Sequence, residues 1–325
     1  MPKNNAKQAK NKGDDAPMKR LFVLLLALMI LLAGCGNRDS RLAKANKKLG
    51  SKQNPIKMFF VPSLEAGKVV QSGEAIAAFL KKETGYNYKV AVPTSYAAVI
   101  EALGTYQADI AWLPTYAYVL AKQKYNAEVR LMTVRNGLNK YRGQFVVKAD
   151  SPIKTLADLN GKIIAYTDAA STSGYIYPSA ILKQKNIIPK NHIFAGGHPQ
   201  AILAVYSGRA DAACTYWSPP DARGIPMDAR EKLSETYPDV FDRIRILDYT
   251  DWIPNDTVTF RKDLPPELES QVVEALYRFG KTAEGKTTLK SLYDIDGLEH
   301  ATDADYEVVR STLKALNMDP ATLLK

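Results

Sequence analysis

The chain has 325 residues, with 44 Lys and Arg against 34 Asp and Glu and a formal net charge of +10. Residues 1–34 carry +4 and residues 35–54 carry +5; taking both from +10 leaves +1 for everything from Pro55 onward. A body so close to neutral lacks the basic footprint that nucleic-acid binding needs, and two cysteines, Cys35 and Cys214, are too few for a disulfide framework.

In chain order, Lys19-Arg20 precede an apolar run of 13 residues, Leu21 to Ala33, that ends in Leu32-Ala33-Gly34-Cys35. The run is too short to span a bilayer as a permanent helix. With its charged entry and small-residue exit it reads as a secretory signal over 1–34. The Leu-Ala-Gly-Cys ending resembles a bacterial lipobox, which implies cleavage before Cys35 and lipidation of its thiol. Residues 35–54 then form a basic tether with six Lys and Arg. An acyl chain and a polybasic stretch reinforce one another on an anionic surface, so the protein is expected outside the cytoplasm, lipid-anchored to the cell membrane.

About 270 residues follow the tether, more than one core usually serves. The pattern alternates strand and helix, which favours α/β lobes with largely parallel sheets. Ile56 to Val61 reads as a strand, and Val69, Gly73, Ile76 and Leu80 as one helix face. Tyr88–Val92 is a strand, Tyr96–Leu103 a helix, Ala108–Leu113 a strand, Ala117–Lys122 a helix and Arg130–Val134 extended. Asn136-Gly137-Leu138-Asn139 is a turn cluster, and a new strand, Gln144–Lys148, follows it. The alternation resumes with a strand at Ile163, helices at Tyr177–Lys185 and Pro199–Tyr206, and strands at Cys214 and Ile244–Leu247. Trp252-Ile253-Pro254-Asn255-Asp256 reads as a return crossing, and helices at Pro266–Phe279 and Thr282–Tyr293 follow. Lobe 1 is thus expected to comprise 55–140 with 254–325, and lobe 2 to comprise 141–253. Asp109 reads as a structural carboxylate, Trp112 as core or cleft wall, and Cys214 as a small buried thiol.

The segment Tyr166-Thr167-Asp168-Ala169-Ala170-Ser171-Thr172-Ser173-Gly174-Tyr175 is the most informative. A β-branched strand stops at small hydroxyl residues that lead into a helix with an early proline, Pro178. Hydroxyls and unpaired backbone N–H groups therefore meet at the positive end of a helix dipole, where an oxyanion is stabilised. An ordinary N-cap needs one Ser or Thr; three in a row exceed that need. His198, after Gly196-Gly197 and before Pro199, also sits near a helix start.

Five motifs occur in order: Pro93-Thr94-Ser95-Tyr96-Ala97-Ala98-Val99, Ala108-Asp109-Ile110-Ala111-Trp112, Ala170-Ser171-Thr172-Ser173-Gly174-Tyr175, Ala195-Gly196-Gly197-His198 and Ile253-Pro254-Asn255-Asp256. Together, behind a lipobox, they resemble the phosphate/phosphite/phosphonate-binding proteins of ABC importers, over about Ile56 to Leu313. The resemblance implies a two-lobed type II periplasmic-binding fold with the ligand in the cleft between the lobes. It implies that Ser171, Thr172 and Ser173 take the phosphoryl oxygens, that His198 donates to them, that Tyr96 and Tyr141 are cleft tyrosines and that Asp256 is an acid on the return crossing. Asp256 can accept the proton of a P–OH group, which favours a protonated oxyanion over sulfate. Members that take aminoalkyl phosphonates carry a second acid where Tyr216-Trp217-Ser218-Pro219 stands here. With Trp217 as cleft wall, an amine-free ligand such as phosphite or methylphosphonate is expected, unless Tyr216 and Trp217 pack into the lobe and Asp221 swings in. An ABC permease is the implied membrane partner, and a monomer without cofactor or metal is expected.

Other function classes fare poorly. Gly280-Lys281-Thr282-Ala283-Glu284-Gly285-Lys286-Thr287 satisfies the P-loop pattern, but Leu268, Val272, Ala275, Leu276 and Phe279 place a helix before it where a strand is required. A serine hydrolase built on Ser171 or Ser173 with His198 lacks a G-x-S-x-G elbow, and three histidines cannot form a His-rich metal centre. A binding protein for another small oxyanion or an organic sulfonate is the alternative; an enzyme is not expected.

Overall fold

The computed structural model describes residues 39–221 and 223–315; the signal segment 1–34 and Cys35 lie outside the described residues. The chain divides into two units at Lys47/Lys48. In the first, residues 39–46 are helical. In the second, the end of the expected tether joins the body, because the Gly50 carbonyl accepts the Asn87 N–H at 2.7 Å.

Two six-stranded sheets organise the second unit. The first contains β1 (Ile56–Phe60), β2 (Tyr88–Ala91), β3 (Ile110–Leu113), β4 (Glu128–Val134), β11 (Thr257–Phe260) and β12 (Gly297–His300), in the order β12-β4-β11-β3-β1-β2. The second contains β5 (Lys140–Lys148), β6 (Ile163–Tyr166), β7 (Asn191–Phe194), β8 (Ala212–Ser218), β9 (Met227–Asp228) and β10 (Ile244–Pro254). Its order is β10-β5-β8-β6-β7, with β9 on β8. β1 runs parallel to β2 and β3, and β6 parallel to β7 and β8, as strand–helix–strand units require. β5, β10 and β11 are antiparallel to their neighbours.

The core follows from the sequence pattern. Ile56, Met58 and Phe60 alternate inward on β1, and Phe60 stacks on Trp112 with ring centroids 5.6 Å apart. The helix Ala66–Thr84 buries Val69, Ile76 and Leu80, one face of a 3.6-residue repeat. Asp109 is the structural carboxylate expected: it accepts Arg261 Nε at 2.7 Å and the Lys57 N–H at 2.8 Å. The P-loop-like segment connects two helices, Pro266–Phe279 and Ala283–Tyr293, with Thr282 capping the second through the Gly285 N–H at 2.9 Å.

The chain passes between the sheets twice, from β4 to β5 and from β10 to β11. At the first passage Asn136 and Gly137 both take positive φ, 51° and 69°, which Asn and Gly tolerate best. At the second, the Asn255 side chain donates to the carbonyls of Thr133 (2.9 Å) and Leu138 (2.8 Å). The two passages are therefore tied to each other.

Candidate binding cleft

Between the sheets lies a cavity of about 50 Å³ whose walls include Ser63, Tyr96, Trp112, Arg135, Tyr141, Ser171, Ser173, His198, Tyr216 and Asp256. Holding one water takes roughly 10–15 Å³, so this space suits one compact solute.

The hydroxyl segment forms one wall. Ser171 caps it by accepting the Gly174 N–H at 3.1 Å, and the Ile176 N–H reaches back five residues to the Ser171 carbonyl at 3.0 Å. The resulting π-helical turn, Thr172–Ile176, leaves its first N–H groups without intrahelical acceptors. Gly174 is needed for the close approach: a Cβ there would lie 2.1 Å from Thr167 Oγ1 and 2.8 Å from Ser171 Oγ. Ser171 and Ser173 line the cavity. Thr172 is not among the residues lining the cavity; its Oγ1 accepts the Tyr116 N–H at 2.8 Å, which joins it to the facing lobe.

His198 lines the cavity and packs edge-on to Tyr216, ring centroids 4.9 Å apart. Burial, aided by the charge of Arg135, pushes its pKa down to about 3, so the imidazole is neutral. Thr167 Oγ1 lies 3.3 Å from His198 Nδ1 and 3.4 Å from the Cys214 carbonyl. The Thr167 hydroxyl donates to the Cys214 carbonyl, and the neutral imidazole carries a single N–H, which serves an oxyanion when it stands on Nε2.

Three further lining residues carry unpartnered donors. Tyr96 Oη, Trp112 Nε1 and Tyr216 Oη are buried with no hydrogen-bond partner among the described residues. The Ser63 hydroxyl lies beside Tyr96 and eases its ionisation, but burial holds the phenol well above its ordinary value; Tyr216 is likewise raised by burial. Both stay protonated. A buried donor without a partner costs about 1–3 kcal/mol, a cost that acceptor oxygens placed in the cavity would remove. Tyr141 adds a phenol beside the Ser173 and Thr172 hydroxyls, its pKa raised by burial and by Asp256.

Asp256 lines the cavity but is not alone. Arg135 Nη2 donates to its Oδ2 at 2.7 Å. Burial alone would press the guanidinium down, yet the charge and hydrogen bond of Asp256 hold it above its ordinary value. Arg135 was missed in the sequence. Its signal was a charge at the very end of a strand leading to a crossing turn.

Trp217 is a correction. Its ring packs on Tyr249 (centroids 4.9 Å apart) and Trp252 (6.4 Å) and is not part of the cavity wall. Side chains alternate along β8, so Tyr216 and Ser218 face the cavity and Trp217 faces away. Asp221 does not swing in either: it accepts the N–H groups of Arg223 and Ile225, both at 2.9 Å, within its own loop.

The lobes meet at several points. The His198 N–H donates to the Ser63 carbonyl at 3.1 Å and the Tyr96 N–H to Asp168 Oδ2 at 3.4 Å. Asn136 Nδ2 donates to the Pro219 carbonyl at 2.8 Å, and Lys232 pairs with Asp294 at 2.9 Å.

Residues 58–306 match the family model described as ABC transporter, phosphonate, periplasmic substrate-binding protein. The chain is 27% identical over 221 residues to the phosphonates-binding periplasmic protein of Escherichia coli (strain K12), covering 66% of this chain and 62% of that one. It is 27% identical over 175 residues to the phosphate-import protein PhnD of Mycolicibacterium smegmatis, covering 50% and 54%. The match thus spans between half and two thirds of these relatives' length. PhnD1 of Prochlorococcus marinus (MIT 9301), solved with methylphosphonate, shares the fold with a TM-score of 0.70 at 16% identity, covering 81% of this chain and 98% of that one.

Proposed function

The chain belongs to the family of periplasmic substrate-binding proteins of phosphonate ABC transporters, and from that premise we propose that it captures phosphite or a small amine-free phosphonate and presents it to a membrane permease. The observation that carries this reading is that Tyr96, Trp112 and Tyr216, whose Oη, Nε1 and Oη are buried without hydrogen-bond partners among the described residues, all line the cavity that Ser171, Ser173 and His198 also wall. Every one of these side chains can donate a hydrogen bond, and a phosphorus oxyanion supplies the acceptors.

Capture involves no bond-making. The anion enters between lobe 1 (55–140 with 254–325) and lobe 2 (141–253), and hydroxyl, indole and imidazole donors replace its hydration shell. Tyr96 and Trp112 belong to lobe 1, and Ser171, Ser173, His198 and Tyr216 to lobe 2. Ligand contacts from both lobes exist together only when the cleft is closed, so binding shifts the population toward that state. Arg135 and Asp256 stand at the two passages between sheets and cancel each other's charge next to the ligand. Thr172 acts in closure through Tyr116. The protein works as a monomer on the outer side of the cell membrane, held by lipid on Cys35.

Titration calorimetry with phosphite, methylphosphonate, phosphate, sulfate and an alkyl sulfonate tests this reading. Saturable binding of phosphite or methylphosphonate, with sulfate and sulfonate weaker, is expected. Preference for sulfate or sulfonate would overturn the reading. Release of phosphate from a phosphoester would overturn the absence of chemistry.

A further inference from the structure

Arg135 is held at every nitrogen. Nη2 donates to Asp256 Oδ2 at 2.7 Å, Nε to the Tyr293 carbonyl at 2.9 Å and Nη1 to Thr133 Oγ1 at 3.2 Å. Its guanidinium also lies over the Tyr141 ring, 6.0 Å from the centroid. A cation tied down in this way cannot swing aside when a ligand enters, so Asp256 reaches any ligand as one half of a fixed ion pair.

The remaining carboxylates at the Tyr216 end are spoken for as well. Asp294 and Glu231, whose charges reach the Tyr216 phenol, share one cation, Lys232, at 2.9 and 2.8 Å. Asp228 pairs with Arg230 at 2.8 Å. A ligand ammonium at this end of the cavity would find each of these carboxylates already engaged with a protein cation, would face the Arg135 charge, and would find the neutral phenol of Tyr216. Enclosing a cation so poorly compensated is unfavourable.

We propose that Arg135 is the specificity-determining residue that excludes amine-bearing phosphonates from this cleft, by holding Asp256 in a fixed ion pair and opposing a ligand cation directly. The inference rests on the reading that the cleft takes a phosphorus oxyanion, and goes beyond it in assigning the discrimination to a residue that need not touch the phosphoryl group. Removing the guanidinium should free Asp256 to receive an ammonium.

The test compares Kd for methylphosphonate and 2-aminoethylphosphonate, by calorimetry, in four proteins: the unaltered chain, Arg135→Gln, Arg135→Lys and Arg135→Gln with Asp256→Asn. The unaltered chain should favour methylphosphonate. Arg135→Gln should shift the ratio of the two constants at least tenfold toward the amine, Arg135→Lys should preserve the original ratio, and the double variant should reverse the gain. A ratio in Arg135→Gln within threefold of the original, or a gain that survives Asp256→Asn, overturns the inference. Should Arg135→Gln fail to fold by circular dichroism, Asp256→Asn alone decides: with Arg135 unopposed, the ratio must move further against the amine, and an unchanged ratio refutes the idea. If the unaltered chain binds neither compound, the proposed function fails and not this inference alone.

Discussion

Replacing Gly174 with Ala adds one carbon where there is no room for it. That carbon would stand 2.1 Å from Thr167 Oγ1, 2.6 Å from Thr167 Cβ and 2.8 Å from Ser171 Oγ. Neither neighbour is a flexible side-chain tip at the surface. Thr167 is fully buried, its hydroxyl lies against His198 and the Cys214 carbonyl, and Ser171 caps the turn through the Gly174 N–H. Relief must come from moving the turn away from β6. Overpacking of this kind typically costs about 1–3 kcal/mol. For a body of this size that is a fall in Tm of roughly 2–4 °C per kcal/mol, taking the range for domains of 150–250 residues. Affinity should fall further than stability, because Ser171, Ser173 and His198 all shift together. Differential scanning calorimetry gives the first quantity and titration with methylphosphonate the second. A Gly174→Ala protein with unchanged Tm and unchanged affinity would refute the reasoning.

Three further outcomes are expected. Ser173→Ala removes a donor to a charged oxygen, worth about 1.5–3 kcal/mol, so calorimetry should record a loss of affinity of roughly tenfold to a hundredfold with the fold intact. Because the folded pKa of His198, about 3, lies below its ordinary 6.5, the unfolded chain takes up a proton that the folded chain refuses; the His198 contribution to stability is therefore constant above pH 6.5 and falls as the pH drops from 6.5 toward 3. At pH 5 the loss is about 2 kcal/mol at 1.36 kcal/mol per pKa unit, read as a shift in urea midpoint that His198→Gln should largely abolish. Asp256→Asn should bring sulfate affinity up toward that of phosphite in a competition titration, since the carboxylate that accepts a P–OH proton is gone and the Arg135 charge is left unopposed.

Local sequence pattern was a good guide wherever one surface decides the outcome. The strand beginning at Ile56 and the buried face Val69, Ile76, Leu80 appear as read. It was a poor guide where pairing rather than burial forms a strand. β10 runs to Pro254, well past the expected Leu247, because two register irregularities against β5 break its alternation. β7 is an edge strand with exposed side chains and little periodicity, and the helix Glu307–Ala315 follows the two expected at the end of the chain. At the cleft, motifs located Ser171, Ser173, His198, Tyr96, Tyr141 and Asp256 in one cavity wall. They did not reveal that Thr172 turns to Tyr116, since a hydroxyl's partner depends on what the other lobe brings to it. The choice between Tyr216 and Trp217 turned on the phase of β8, which a one-residue slip inverts. Arg135 escaped notice because its meaning lies in a partner 121 residues away.

A crystal structure of the protein grown with methylphosphonate tests the central claim most directly. The account predicts the phosphoryl group inside the cavity between the lobes, with its oxygens at about 2.6–3.0 Å from the hydroxyls of Ser173, Tyr96 and Tyr216 and from His198 Nε2, and with the Arg135–Asp256 pair intact beside it. Methylphosphonate bound outside this cavity, or within it but in contact with one lobe alone, would contradict the account.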